Sequence, residues 1–335
     1  MADISPICRR VFDTAKLVAE FPPRFSNPNK QAVYGIARPP QSIHSGQITF
    51  SRWAKMRLPI ALEGNSGAKN YEVREDYFGY EPTPSGSSKV EWYLNFAHQD
   101  LFCAYPGPLF AQDEMQVAEH PALGSLREAL EHSDIRPSTV EFGEPTPALM
   151  MGVERRCRVA IEPNAALGRP NGLYGNNFAR ASQEAVARAT QPIRPPTITN
   201  LIAMEAPAGG RGLYSRDEIE FILSTAYTGF AAARLESRRD QTATPEVIIH
   251  TGFWGCGAYG GNRILMALLQ LLAANLAGLD RLVFHTGDAG GTQAFHRANE
   301  VMRQLMGFDA EKRNLSDVVS HIESLGLQWG VSDGN

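Results

Sequence analysis

Long apolar runs are missing from this 335-residue chain. No segment reaches about 18 unbroken apolar residues, so no membrane-spanning helix is expected. The opening "MADISPICRRVFDTAKLVAEF" scatters acids and bases through its length and has no apolar h-region, so a secretory signal of the standard kind is not expected either. Cysteine is scarce. Cys8, Cys103, Cys157 and Cys256 lie far apart without C-x-x-C spacing, which argues against a structural zinc site and a disulfide framework and for a reduced, intracellular setting. The expected location is cytoplasmic, or a host cell if the protein is an effector delivered by a specialised route. A surplus of basic charge is also absent: 32 Lys and Arg face 36 Asp and Glu, a net charge of −4. No broad field for a nucleic-acid backbone results. Neither nucleic acid nor a membrane is an expected partner. There is no internal repeat and no long low-complexity tract. What is present is a 43% hydrophobic content, enough for one large core with or without a smaller lobe.

Residues 1–88 are heterogeneous. A helix is expected over Pro6–Glu20, then a loop rich in Pro, Asn and Gln, then "SGQITFSRWAKMRLPIALEGNSG", then the turn-rich "GYEPTPSGSSK". This reads as an accessory segment ending in a linker, either a cap over a cleft or a packing extension of the domain at 89–335. From Lys89 the pattern changes. Strands are expected at 90–97, 157–162, 198–206, 246–253 and 280–288, and helices at 109–133 (with a break near Pro121), 215–237, 262–278 and 291–306. Ser215 with Glu218 three residues on is a capping signature for the second of these helices. Strands separated by helical crossovers predict an α/β domain with a mixed, largely parallel sheet covered on both faces.

The stretch "TGFWGCGAYGG" (251–261) packs five glycines and three aromatic rings between a strand and a helix. Gly255, Gly257 and Gly260 spell G-x-G-x-x-G, the dinucleotide fingerprint. That fingerprint normally opens its domain, whereas here only 47 residues follow Asp288, the acid at the end of the next strand. A nicotinamide-dependent oxidoreductase is therefore disfavoured. The loop's physical content survives: glycines let successive amides turn to one point, and a helix N-terminus adds positive charge, so a diphosphate can be cradled. A tight turn needs fewer glycines than this. Trp254 and Tyr259 offer flat surface for a ribose or base, or anchor the core. Cys256 reads as a small packing residue, since no base lies nearby in sequence.

The second constellation, "NFAHQDLFCAYPGPLFAQDEMQVAEHP" (95–121), leaves a buried strand and enters a helix. It gathers Asn95, His98, Asp100, Gln112, Asp113 and Glu114 at a strand's C-terminal end, where open α/β sheets bind ligands. Adjacent acids suit glycosidic hydrolysis, in which one carboxyl protonates the leaving atom or positions water while an oxocarbenium-like sugar develops. Two acids at a helix start also simply complement its dipole.

These residues together resemble the catalytic macrodomain of the poly(ADP-ribose) glycohydrolase family. "TGFWGCGAYGGNRILMALLQLLAA" with "LVFHTGD" is similar to that family's C-terminal segment, "STAYTGF" (224–230) to its "KAYCGF" helix, and "AQDE" (111–114) to its "VQEE". The resemblance implies a three-layer α/β/α macrodomain-like fold. It implies a catalytic acid at Glu114 with Asp113 beside it, and a diphosphate loop made of Gly255, Cys256, Gly257, Ala258, Tyr259 and Gly260, with Tyr259 in place of a ligand-contacting Phe. Asn95, Phe96, His98 and Gln112 complete the expected substrate contacts, and neither a metal nor a cofactor is implied. The departures bear on the substrate. The family's "DFAN" is here "NFAH", and its glycine triplet before "QEE" is replaced by "QDLFCAYPGPLF", with a new acid at Asp100. Such an altered acid set is similar to that of effector-type macrodomain hydrolases that remove single ADP-ribose units from arginine, including on ubiquitin. Expected is an ADP-ribosyl hydrolase acting on ADP-ribosylated protein, with Asp100, Asp113 and Glu114 as its acids. Its alternatives are a poly(ADP-ribose) glycohydrolase and a reader that binds ADP-ribose without cleaving it. His98 orients a carboxylate or the substrate, or is a satisfied histidine at a strand end. His250 reads as a core histidine, and the Gly- and Asn-rich stretch 164–180 as a loop that can line the cleft.

Overall fold

Alternating side chains along the central strands divide the molecule into layers. The computed structural model describes residues 5–62, 71–81, 87–239, 244–306 and 313–334. Its main sheet contains β1 (Cys8–Asp13), β2 (Gln47–Arg52), β3 (Tyr71–Arg74), β4 (Lys89–Phe96), β5 (Ala148–Val159), β6 (Thr190–Met204), β7 (Glu246–Thr251) and β8 (Arg281–His285). They lie in the order β1-β2-β5-β6-β4-β7-β8-β3. The pairs β1/β2, β2/β5 and β5/β6 are antiparallel; the pairs from β6 through β4, β7 and β8 to β3 are parallel. The helices are α1 (Thr14–Glu20), α2 (Pro28–Ala37), α3 (Gln112–Glu119), α4 (Ala122–Glu131), α5 (Asn177–Arg180), α6 (Gln183–Ala189), α7 (Arg216–Arg238), α8 (Arg263–Leu276), α9 (Ala289–Met306) and α10 (Leu315–Ser324).

Trp92 and Leu94 of β4, with Ile202 and Met204 of β6, pack against α7, α8 and α9 in one core. Tyr93, Leu201 and Ala203, which alternate with them along the strands, pack with Leu17 of α1 and Leu123 and Leu126 of α4 in another. Period-two burial on both faces is what a sheet sandwiched between helices requires. The α/β/α layering and the mixed sheet are thus as expected, with antiparallel pairing on the β1 side. The Ser215–Glu218 capping box opens α7, and the break at Pro121 separates α3 from α4.

The N-terminal region departs from expectation. Residues before Lys89, read as an accessory segment, supply β1 and β2 at one margin of the sheet and β3 at the other, so a boundary at 88/89 cuts through one hydrogen-bonded sheet. Residues 8–13 form a strand rather than the first half of a helix, because pairing with Gln47–Arg52 outweighs local helical preference. Helix formation waits for Asp13, whose carboxylate accepts the Lys16 amide as N-cap. The stretch taken as a loop holds α2, started by Asn27 as N-cap and Pro28 in the first turn. In β5 the strand runs over 148–159 rather than 157–162. In β6 it extends back through Pro192, Pro195 and Pro196. Those prolines are tolerated because only residues 201–204 pair with β4, leaving the earlier half with a single neighbour. Part of the turn-rich "GYEPTPSGSSK" lies outside the described residues.

All the parallel strands point their C-terminal ends to one edge, where the loops after β4, β6, β7 and β8 meet. Since both margins of the sheet come from residues 8–74, a chain begun at Lys89 is expected to lose cooperative unfolding. A far-UV circular dichroism melt checks this; a sharp transition like that of the whole chain would show residues 89–335 to be self-sufficient.

Candidate functional site

Gln112 joins the start of α3 to the end of β4. Its Oε1 accepts the Phe96 amide at 2.8 Å and its Nε2 donates to the Leu94 carbonyl at 2.9 Å, so one side chain imitates a neighbouring strand. One turn on, Gln116 donates through Nε2 to Leu94 O and to the Tyr80 hydroxyl, which leaves its Oε1 to accept from Asn95 Nδ2 at 2.9 Å. That contact orients the Asn95 amide, whose Nδ2 also donates to Asp113 Oδ1 at 2.9 Å. Asn95 is fully buried, so its only route to Asp113 is this fixed one.

Asp113 and Glu114 occupy the first turn of α3, and both are buried. Glu114 Oε2 accepts the Ala111 amide at 2.9 Å. Its Oε1 makes no hydrogen bond among the described residues. Burial and the neighbouring Glu114 charge push the Asp113 carboxyl up to about 8, against the pull of Asn95 and Lys30. Adjacent buried carboxylates cannot both ionise cheaply, which favours the protonated form of Asp113.

Lys30, a residue the sequence did not single out, supplies the opposing charge. It projects from α2, is 2% exposed, donates to Tyr105 O at 3.1 Å, and lies 5.3 and 5.9 Å from the stacked rings of Phe110 and Phe178. Burial lowers its ammonium to about 8 while Glu114 and Asp113 pull it back up. Nothing in the local sequence marks it beyond the Asn27-Pro28 helix start. Glu205, at the end of β6, was also missed. Desolvation raises its carboxyl, and it is within electrostatic range of His98 and Tyr259.

The glycine loop follows β7 on the same edge. Gly255 and Gly260 adopt φ of +74° and +68°, open to glycine at little cost. The Cys256, Gly260 and Gly261 amides bond within the loop, whereas those of Gly257, Ala258 and Tyr259 donate to no backbone carbonyl among the described residues. Three consecutive amides remain to meet an anion. The α8 N-terminus contributes less than expected, since Asn262 Oδ1 accepts the Ile264 and Leu265 amides. Tyr259 is half-buried within electrostatic range of Asp113 and Glu114, which brings the loop and the acids to one cleft. The stretch 164–180, expected as a loop throughout, ends in α5, and Tyr174 just before that helix faces the Gln112 backbone and Glu114, which puts this part of it at the same cleft.

Other expected residues fall elsewhere. Trp254 is 1% exposed and donates to Met204 O at 2.9 Å, a core anchor and not a ligand surface. Burial pushes the Cys256 thiol up to about 12, which suits packing. Asp100 pairs with Arg127 of α4 and shares no hydrogen bond with Asp113 or Glu114 among the described residues, although all three acids lie within electrostatic range of the Cys103 thiol. The Arg127 fork also binds Leu101 O and Glu131. His98 is exposed, with Nδ1 accepting the Asp100 amide at 3.1 Å and lying 3.5 Å from Cys103 Sγ. Phe96 is half-buried against Phe78. His250 is a core histidine, stacked on Tyr93 at 4.3 Å and 3.0 Å from His285 Nε2. Asp288, the acid at the end of β8, accepts the Gly291 amide in the first turn of α9.

Residues 171–293 match a family model described as poly(ADP-ribose) glycohydrolase, macro domain fold. The matched segment includes the glycine loop and begins after Asp113 and Glu114. Among solved structures, the chain is similar to poly(ADP-ribose) glycohydrolase from Thermomonospora curvata, at 16% identity and TM-score 0.46, over 85% of this chain and 97% of that one. It is also similar to the enzyme from Deinococcus radiodurans in complex with ADP-ribose, at 13% identity and TM-score 0.40, over 88% and 95%.

A carboxyl whose folded value is raised binds a proton more tightly in the native state than in the unfolded one. The stability Asp113 contributes is therefore complete below about 4 and is lost as pH rises through about 8. Asp113→Asn removes this loss. The variant's melting temperature relative to the parent is expected to climb between pH 5 and 9, by roughly 2–5 °C. Lys30→Met, which withdraws the favourable charge and keeps the bulk, is expected to move the Asp113 titration upward. Carboxyl carbon shifts measured against pH check both; a pH-independent gap would count against the raised Asp113.

Proposed function

We propose that the chain is an ADP-ribosyl hydrolase that releases single ADP-ribose units from protein side chains, with arginine the favoured attachment and ubiquitin a candidate carrier. The observation that carries it is the buried Asp113–Glu114 pair at the start of α3, within electrostatic range of Tyr259 in a glycine loop whose Gly257, Ala258 and Tyr259 amides donate to no backbone carbonyl among the described residues. The match of residues 171–293 to a glycohydrolase model supports the hydrolase class and the ligand.

In this reading the loop amides of Gly257, Ala258 and Tyr259 receive the diphosphate and set the distal ribose against α3. Binding through remote phosphates aligns the bond to be broken without acting on it. The proton retained by the pair goes to the leaving atom, for arginine a guanidine nitrogen, as the bond to the anomeric carbon breaks. The ionised partner then faces the oxocarbenium-like sugar and draws a proton from the attacking water. The resemblance gives the acid's part to Glu114; in this reading Asp113 carries the proton, and Glu114, one oxygen held by the Ala111 amide, offers the other to the water.

The reader alternative starts from Asn95, where the resemblance expects an acid. In this fold Asn95 serves Asp113 as a hydrogen-bond donor, a task a carboxylate performs only when protonated. The substitution thus retunes the pair rather than dismantling it. The polymer alternative is supported by the family model, and the single-unit reading by the missing glycine triplet before "AQDE".

Free ADP-ribose is to be measured after incubation with arginine-, serine- and glutamate-linked mono-ADP-ribosylated proteins and with poly(ADP-ribose). Release chiefly from the arginine-linked substrate is expected. Release chiefly from polymer would replace the substrate, and binding without release from any would replace the enzyme by a reader. Asp113→Ala and Glu114→Ala are each expected to lose at least about 100-fold in turnover, on the scale of general acid–base catalysis, while retaining ADP-ribose affinity. Unimpaired turnover in both would refute the acid assignment.

A further inference from the structure

The segment that follows α10 lies along the glycine loop. Trp329 stacks on Tyr214 at 4.3 Å and its amide donates to Gly212 O at 2.9 Å, which fixes the segment's root. From there the Gly330 amide donates to Gly260 O at 2.8 Å, and the Asp333 amide reaches Gly257 O at 3.4 Å. Beyond the loop, Asn176 Nδ2 donates to Gly334 O at 3.0 Å, so residues 330–334 cross from the glycine loop to the loop carrying Tyr174.

The crossing is close. A β-carbon built on Gly260 would stand 3.0 Å from Ser332 N and 3.2 Å from Gly330 O, and one on Gly257 would stand 3.0 Å from Asp333 Oδ2. Asp333 therefore brings a carboxylate against Gly257, the first of the three amide-bearing residues offered to an anion. It is also within electrostatic range of Tyr174, which in turn senses Glu114. A carboxylate in that position competes for the same space as any anion that the loop amides would receive. The contact is also shallow: Gly330, Ser332, Asp333 and Gly334 are exposed, and Val331 is 92% exposed, so no apolar burial beyond Trp329 ties the segment down.

We propose that residues 330–334 form an autoinhibitory strap whose Asp333 carboxylate occupies the anion cradle and must leave before a diphosphate ligand binds. The ligand's identity as ADP-ribose rests on the function proposed above; the competition between carboxylate and diphosphate does not. A strap docked about nine-tenths of the time weakens apparent affinity about tenfold, since only the open fraction accepts ligand.

The test compares the full chain, Asp333→Asn and a chain ending at Trp329, by calorimetric titration with ADP-ribose and with inorganic pyrophosphate. Amide hydrogen exchange over 328–334 is followed in the full chain with and without each ligand. Both variants are expected to bind at least about fivefold more tightly than the full chain, with ligand speeding exchange at Gly330 and Asp333 in the full chain. Equal or weaker binding by both variants, or ligand-induced protection at those amides, would overturn the strap and make the segment part of the ligand's own site. Tighter binding of pyrophosphate alone by the variants would sustain the strap and remove ADP-ribose. Failure of every chain to bind either ligand would remove both.

Discussion

Gln112 is the contact on which the site depends. By bonding both Leu94 O and Phe96 N, it extends the ladder of β4 by one side chain and makes the start of α3 a continuation of the sheet. A strand end is among the stiffest places in an α/β protein, and a carboxyl group one residue from such an anchor inherits its position. Asp113 and Glu114 follow directly. Two hydrogen bonds in a half-buried setting contribute on the order of 2 kcal/mol together, but their larger effect is geometric.

The same contact organises the charges. Gln116 lies one helical turn beyond Gln112 and binds the same Leu94 carbonyl, which fixes Asn95 and thereby points a donor at Asp113. From the other side α2 brings Lys30, wedged against Phe110 just before the helix starts. The pair of acids thus sits between a neutral donor and a buried cation. Neither cancels desolvation and the charge of Glu114, which is why the Asp113 carboxyl stays raised. A stronger counter-ion in place of Asn95 would favour the ionised form of Asp113 and lower its carboxyl.

Much of this was legible in the sequence where local chemistry and fold agree. The Ser215–Glu218 box, the break at Pro121 and the apolar α8 all reported their own elements, and the acids with their strand were visible as a cluster at one strand end. What escaped depends on partners distant in the chain. β1 is a strand because residues 47–52 lie beside it, and Lys30 is a site residue because α2 folds against α3 some eighty residues away. Asp100 was indistinguishable from Asp113 in sequence; in the fold Arg127 of α4 pairs with the first and Asn95 donates to the second.

The glycines were legible in number and ambiguous in purpose. Gly255 and Gly260 are required by positive φ, which any tight loop would explain. Gly257 has no such need, and its lost side chain makes room for Asp333 as much as for a phosphate. A cradle that admits both a ligand and the chain's own carboxylate must discriminate by charge and reach. On the proposed reading a diphosphate offers more negative oxygens than one carboxylate, and Asp333 meets the loop at Gly257. Gly252 and Gly261 answer to backbone instead, since a β-carbon on them would stand 2.9 Å from His285 O and 2.7 Å from Gly255 O; Gly257 alone of the five is spared for the strap and its competitor.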